Sequence, residues 1–102
     1  MKIVRIEAFP LKYPEPHDSG KPRYITLVRV ESDDGAFGWG ECISQWPEAA
    51  LAVKVIVDRG LAPLLKDRDA FQIRSLWELM RFHTTWYGTG GEIGRASCRE
   101  RV

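Results

Sequence analysis

Residues 24–42 read YITLVRVESDDGAFGWGEC, and the fold turns on them. Residues 24–31 are dense in β-branched and aromatic side chains, which fit a pleated, half-buried surface, so they predict a strand. Asp34-Gly35 supplies the residues of a tight hairpin turn. The chain then returns as a second strand over 36–44. Gly38 and Gly40 weaken that strand unless backbone or a ligand comes close there.

Upstream, residues 2–9 read KIVRIEAF. Val4, Ile6 and Ala8 recur at period two and make one apolar face, so a first strand is expected here. Pro10 cannot donate to a ladder, which marks an edge strand or a strand end. Residues 13–23, YPEPHDSGKPR, hold three prolines and a glycine and read as a loop. It is longer than most connections, and long loops are often functional. The three strands follow one another as an antiparallel meander.

Downstream the period changes. Pro47 suits the first helical position and Glu48 the positive end of the helix dipole. Residues 48–60 are expected to form a helix, with Gly60 as its stop. The helix is apolar almost all round, so most of it should be buried. A second helix is expected from Asp69, with Gln72 completing a capping box. Ile73, Leu76, Trp77 and Met80 give it an apolar stripe. WYGTGG at 86–91 breaks the pattern. Strands first and helices afterwards predict an α+β domain.

At 102 residues, 44% hydrophobic and 28% charged, the chain has the composition of one ordinary globular domain or part of one. Its formal charge is +1. Arg95, Arg99 and Arg101 outnumber Glu92 and Glu100 in the last eleven residues, and without them the remainder is neutral. A neutral body argues against nucleic-acid binding, which needs basic residues gathered on one face. The charges at Lys2, Arg5 and Glu7 leave no apolar run for a signal peptide, and AALAV at 49–53 is too short to span a bilayer. These features point to a cytoplasmic protein without membrane partners. In that compartment Cys42 and Cys98 are not expected to form a disulfide framework. Cys42 reads most simply as a small buried residue.

Five strings in order resemble the N-terminal domain of the mandelate racemase and muconate lactonizing enzyme family of the enolase superfamily. They are MKIVRIEAFPLK, YITLVRVESDDGAFGWGEC, PEAALAVKVIVDRGLAPLLKDRD, IRSLWELM and WYGTGG. The resemblance covers residues 1–91 and implies a capping domain of three strands followed by helices. In such enzymes the domain covers a (β/α)-barrel whose strand ends hold the catalytic groups. Magnesium there holds a substrate carboxylate while a lysine or histidine removes the adjacent proton. The resemblance thus implies a magnesium-dependent lyase or isomerase, such as an acid-sugar dehydratase or a racemase, acting on a carboxylic acid as a homo-oligomer. It places the barrel, the catalytic residues and the metal ligands outside these 102 residues. EIGRASCRERV, residues 92–102, resembles instead the translation of a short-read sequencing adapter, so a non-native tail on an incomplete domain is expected.

The resemblance also implies which residues shape the substrate. Two loops of the family's cap close over the barrel mouth, one after the first strand and one after the third. Carried over, the first holds His17, Asp18, Ser19, Lys21 and Arg23. A lysine or arginine there meets an anionic or hydroxylated group, or it is ordinary surface charge. The second loop is residues 44–47, where Trp46 either walls the substrate or packs at the sheet–helix junction. Tyr87 and Thr89 approach the mouth or belong to a plain helix-ending turn. Trp39 is expected to pack in a core or against the barrel, and Glu41 to be structural or interfacial. WYGTGG lacks the spacing of a phosphate loop. His83 is explained by the helix dipole. Two functional readings remain open: the cap of a larger enzyme, inactive alone, or a free-standing binding module.

Overall fold

The strand β2 (Lys21–Ser32) is the middle of the sheet. In the computed structural model, which describes residues 1–87, it pairs antiparallel with β1 (Ile3–Glu15) and with β3 (Phe37–Ser44). The expected meander is present. The β2–β3 turn is held by Ser32 N–H donating to Ala36 O (2.8 Å) and Gly35 N–H donating to Ser32 O (3.1 Å). Gly35 has φ +87°, which glycine adopts without steric cost. The Asp34 carboxylate accepts from the Ser32 hydroxyl and from Ala36 N–H. Those two donors, the hydroxyl first, hold its pKa below the ordinary carboxylate value.

Two expectations about the first strand change. A bulge between Ile3 and Arg5 shifts the register, so Ile3 rather than Val4 turns into the core beside Ile6. Residues 13–23 are mostly ladder rather than loop. Tyr13 pairs with Arg23, Pro14 with Pro22 and Glu15 with Lys21. The turn itself is a 3₁₀ segment, Pro16–Asp18, followed by Ser19 and Gly20 in the left-handed region. Gly20 N–H closes it on Glu15 O at 2.9 Å. Pro10 lies within the ladder opposite Thr26, on an edge strand and not at a strand end.

After β3 the chain enters α1 (Pro47–Val55), a π-helical stretch (Ile56–Leu61) and α2 (Ala62–Leu65), all in right-handed helical backbone. Gly60 is therefore not a stop. The core stripe Ala50, Val53, Val57, Leu61 and Leu65 runs straight past it, and Asp67, at φ +69°, follows the end of the helix. Proline at 63 gives the π stretch a cause. It donates no N–H, and its ring crowds the carbonyl four residues back, so the bonding widens to Ala62 N–H on Val57 O. Nor is the helix buried all round, since Leu51 and Val55 are more than half exposed.

The second helix, α3 (Ile73–His83), begins four residues later than expected. Asp69 does not cap it. Residues 66–70 lie along the N-terminus instead, with Ile3 N–H donating to Arg68 O, Asp67 N–H to Ile3 O and Ala70 N–H to Met1 O. Gln72 precedes the helix without a side-chain cap. Of the expected stripe, Leu76 is buried and Met80 packs on the core, while Ile73 is 69% exposed. Trp77 lies under the Arg81 guanidinium, 5.3 Å from its ring centroid.

The helices cover one face of the sheet. Ala8, Cys42, Val53, Val57 and Leu61 form one buried cluster, and Ile3, Leu65 and Leu76 a second. Burying each of the two valines is worth about 1.5–3 kcal/mol. Thr26 Oγ1 donates to Ala50 O, tying sheet to helix. On the open edge of β1, Lys54 Nζ donates to Ala8 O (2.9 Å) and to Asp58 Oδ2 (2.6 Å), while Asp58 Oδ1 accepts Ala8 N–H (3.0 Å). One i,i+4 pair thus stands in for a fourth strand at that residue.

Candidate functional site

Unequal pairing builds the candidate site. The β2–β3 ladder ends at Tyr24↔Ser44, but the β1–β2 ladder continues to Glu15↔Lys21. The end of the hairpin therefore stands beyond β3, and among the described residues no third strand lies beside it. Trp46 lies at its root, two residues after β3 ends, in extended backbone immediately before α1. The two segments expected to act together lie at the same end of the sheet.

Strand parity then sorts the residues. Glu15, Lys21, Tyr13 and Arg23 belong to the row that continues the face of the sheet away from the described helices. Lys12 and Tyr24, paired with one another, continue the helix-covered face, the side from which α1 begins. Arg23 Nη2 reaches Asp18 Oδ2 at 3.4 Å, and both side chains are nearly half exposed. Such a pair holds the tip loosely, at well under 1 kcal/mol. His17 is exposed in the 3₁₀ turn, its backbone N–H donating to Glu15 Oε1. Trp46 is 64% exposed, so it is not packed at the sheet–helix junction.

Lys12 and Tyr24 are not marked by any motif in the sequence. Their signal is the register, and it is readable only once the hairpin is known to continue past residue 13. Tyr87 is not brought to this group. It ends a 3₁₀ turn (Thr85–Tyr87) after α3. Nearby His83 lies 3.5 Å from where a Cβ on Gly60 would stand, and Gly60 is roughly 20 Å of helix from Pro47. Thr89, the glycines of WYGTGG and residues 92–102 lie outside the described residues.

Of the two places expected for Trp39 the core is excluded: it is 56% exposed, on the face of the sheet away from the described helices, 5.9 Å from the Phe9 ring. Glu41 shares that face by register. Cys42 is buried, as expected.

The overhang carries donors and two phenols, with an indole at its root, which is the chemistry of binding. Among the described residues no three His, Cys, Asp or Glu side chains gather where they could hold a metal ion. A magnesium site therefore does not fit the described residues, and no step through a metal is derived from them. No helix among them is long and apolar enough to cross a membrane.

The pattern of the mandelate racemase / muconate lactonizing enzyme N-terminal domain matches residues 9–97. A "D-galactonate dehydratase family member" of a Streptomyces species is 39% identical over 70 residues, which are 68% of this chain and 15% of the relative. The crystal structure of the 3,6-anhydro-D-galactonate cycloisomerase from Zobellia galactanivorans superposes with a TM-score of 0.78 at 27% identity, over 94% of this chain and 25% of that one. A racemase from Streptomyces coelicolor with bound magnesium gives 0.75 at 27% identity, over 92% and 28%. This chain thus spans about a sixth to a quarter of the length of these proteins.

Proposed function

The chain belongs to the mandelate racemase and muconate lactonizing enzyme family through that family's N-terminal domain, and from this premise we propose that it is the substrate-capping domain of a magnesium-dependent lyase or isomerase acting on a sugar acid. By itself it performs no turnover. The reading rests most on the overhanging hairpin with Trp46 at its root. Lys12, Lys21 and Arg23 offer donors to hydroxyl and carboxylate oxygens, and Trp46 and Tyr24 offer flat apolar walls. The named dehydratase and cycloisomerase relatives support a sugar-acid substrate. Magnesium, bound in a neighbouring structure, would be held by residues of a longer enzyme outside this domain.

The helix layer favours the cap over the free-standing module. Val55, Phe82 and Trp86 are 58%, 82% and 95% exposed, apolar area that a covering barrel would remove from water.

Two measurements test the proposal. The purified chain, given magnesium and a panel of hydroxy and sugar acids, is expected to show no turnover. Residues 1–87 exchanged for the matching domain of the Streptomyces D-galactonate dehydratase family member are expected to give an active chimera. In it Trp46→Ala and Lys12→Ala raise KM more than they lower kcat. Turnover by the chain alone, or a KM indifferent to both substitutions, overturns the reading.

A further inference from the structure

We propose that the outer edge of β1 binds the carboxy-terminal end of a separate polypeptide, which adds to the sheet as a short strand. Near its start this edge is guarded at all but one place. At Ile3, N–H donates to Arg68 O (2.9 Å) and C=O accepts Asp67 N–H (2.8 Å). At Ala8, the Asp58 carboxylate and the Lys54 ammonium hold both backbone groups. Pro10 has no N–H to offer. From Arg5 onward the ladder with β2 is regular, so the backbone groups of Ile6 turn outward like those of Ala8. Among the described residues nothing closes on them. They open on a cavity of about 290 Å³ between β1 and the helix. Its walls are Ile3, Val4 and Ile6 on the strand and Ala62 and Pro63 on the helix, with Arg5, Asp58 and Lys66 supplying charge.

The charges and the register choose the occupant. Arg5 is paired with Glu7, and Asp58 with Lys54. Among the described residues that line the cavity, Lys66 is left as the charge without an ion partner, so the site favours one negative charge. A residue that exchanges both its backbone bonds with Ile6 forms the hydrogen-bonded pair of an antiparallel ladder. A chain antiparallel to β1 runs from Ala8 toward Ile3. Lys66 immediately precedes the segment that covers Ile3, so an anion beside it is the terminal carboxylate of the added chain. The residue before that terminus lies opposite Ile6. Its side chain shares the face of Ile6, against Ala62 and Pro63, and is apolar. In the other direction the Lys54–Asp58 clasp stands two residues away, roughly 7 Å along the strand. The edge thus has room for a chain end but not for a long internal strand, which joins strand addition to capture of a carboxylate.

NMR titration of the full chain with the acetylated tripeptide Ala-Leu-Ala tests this. With a free carboxylate the peptide is expected to shift the amides of residues 4–6 and 62–67 saturably. Amidating its C-terminus should weaken binding by more than about fivefold. Methylating the leucine nitrogen, which removes the N–H meant for Ile6 O, should do the same. Lys66→Glu, an exposed substitution, should weaken the free carboxylate by the same factor and leave the amidated peptide unchanged, while Lys66→Arg retains binding. No shift at up to about 10 mM peptide overturns the proposal. So does binding indifferent to amidation, to methylation or to Lys66→Glu. Shifts at residues 4–6 that follow protein concentration alone give the cavity to a second copy, and shifts that follow deletion of residues 92–102 give it to this chain's own end; either result overturns the proposal as well.

Discussion

Asp58→Ala is the perturbation with the clearest expected size. Asp58 Oδ1 accepts Ala8 N–H at 3.0 Å, and Ala8 is fully buried. Removing the carboxylate leaves that donor without an acceptor, at a cost of about 1–3 kcal/mol. It also leaves Lys54 without its partner, but Lys54 is 38% exposed, so the ion pair itself adds only about 0.3–0.5 kcal/mol. The acceptor dominates, and the expected loss is about 2 kcal/mol. For a domain of this size each kcal/mol moves Tm by about 4–8 °C, so the melting point should fall by roughly 8–16 °C. Asp58→Asn keeps an oxygen for Ala8 and should lose less than about 1 kcal/mol. Urea unfolding followed by circular dichroism reads both. Equal losses for the two variants would show that charge, not the acceptor, matters. A loss below about 0.5 kcal/mol for Asp58→Ala would refute the clasp itself.

Three further outcomes are expected. Gly60→Ala should stabilise the chain by about 0.5–1 kcal/mol, because Gly60 is helical and its Cβ would meet His83 at an ordinary 3.5 Å; a left-handed stop residue would give the opposite sign in the same melt. Val53→Ala, at a fully buried position, should cost about 2 kcal/mol, whereas Val55→Ala, 58% exposed on the same helix, should stay within about 0.5 kcal/mol in chemical denaturation. The Asp34 carboxyl should titrate below the ordinary aspartate value by NMR, because the Ser32 hydroxyl and Ala36 N–H favour its charged form. A depressed folded pKa contributes stability that is present above the unfolded value and lost as pH falls through the folded one, so Asp34→Asn should flatten the stability profile below roughly pH 4.

The sheet was legible because its signals are local. The β-branched run at 24–31 and Asp34-Gly35 each fix a few residues' backbone directly, and the meander results. The hairpin extension was hidden by composition: prolines at 14, 16 and 22 and a glycine at 20 read as loop, although Pro14 and Pro22 sit opposite each other in a continuing ladder. Gly60 misled because glycine ends a helix only where φ turns positive, and a sequence does not state φ. The overhang depends on β3 being shorter than its neighbours, a comparison between strands that no single segment contains. Parity within that overhang separated Lys12 and Tyr24 from Lys21 and Arg23.

The backbone bonds between Met1–Ile3 and residues 67–70 bear on how the molecule is made. These are contacts between residues 1–3 and others more than sixty positions on. A ribosome delivering the chain from its amino end releases Ile3 long before Arg68 exists. The sheet can form as a nascent meander, but its lower rim stays open until the second half has emerged. A pause or truncation ahead of residue 70 would therefore leave residues 1–3 unanchored, and available to proteases, whatever the condition of the strand they lead into.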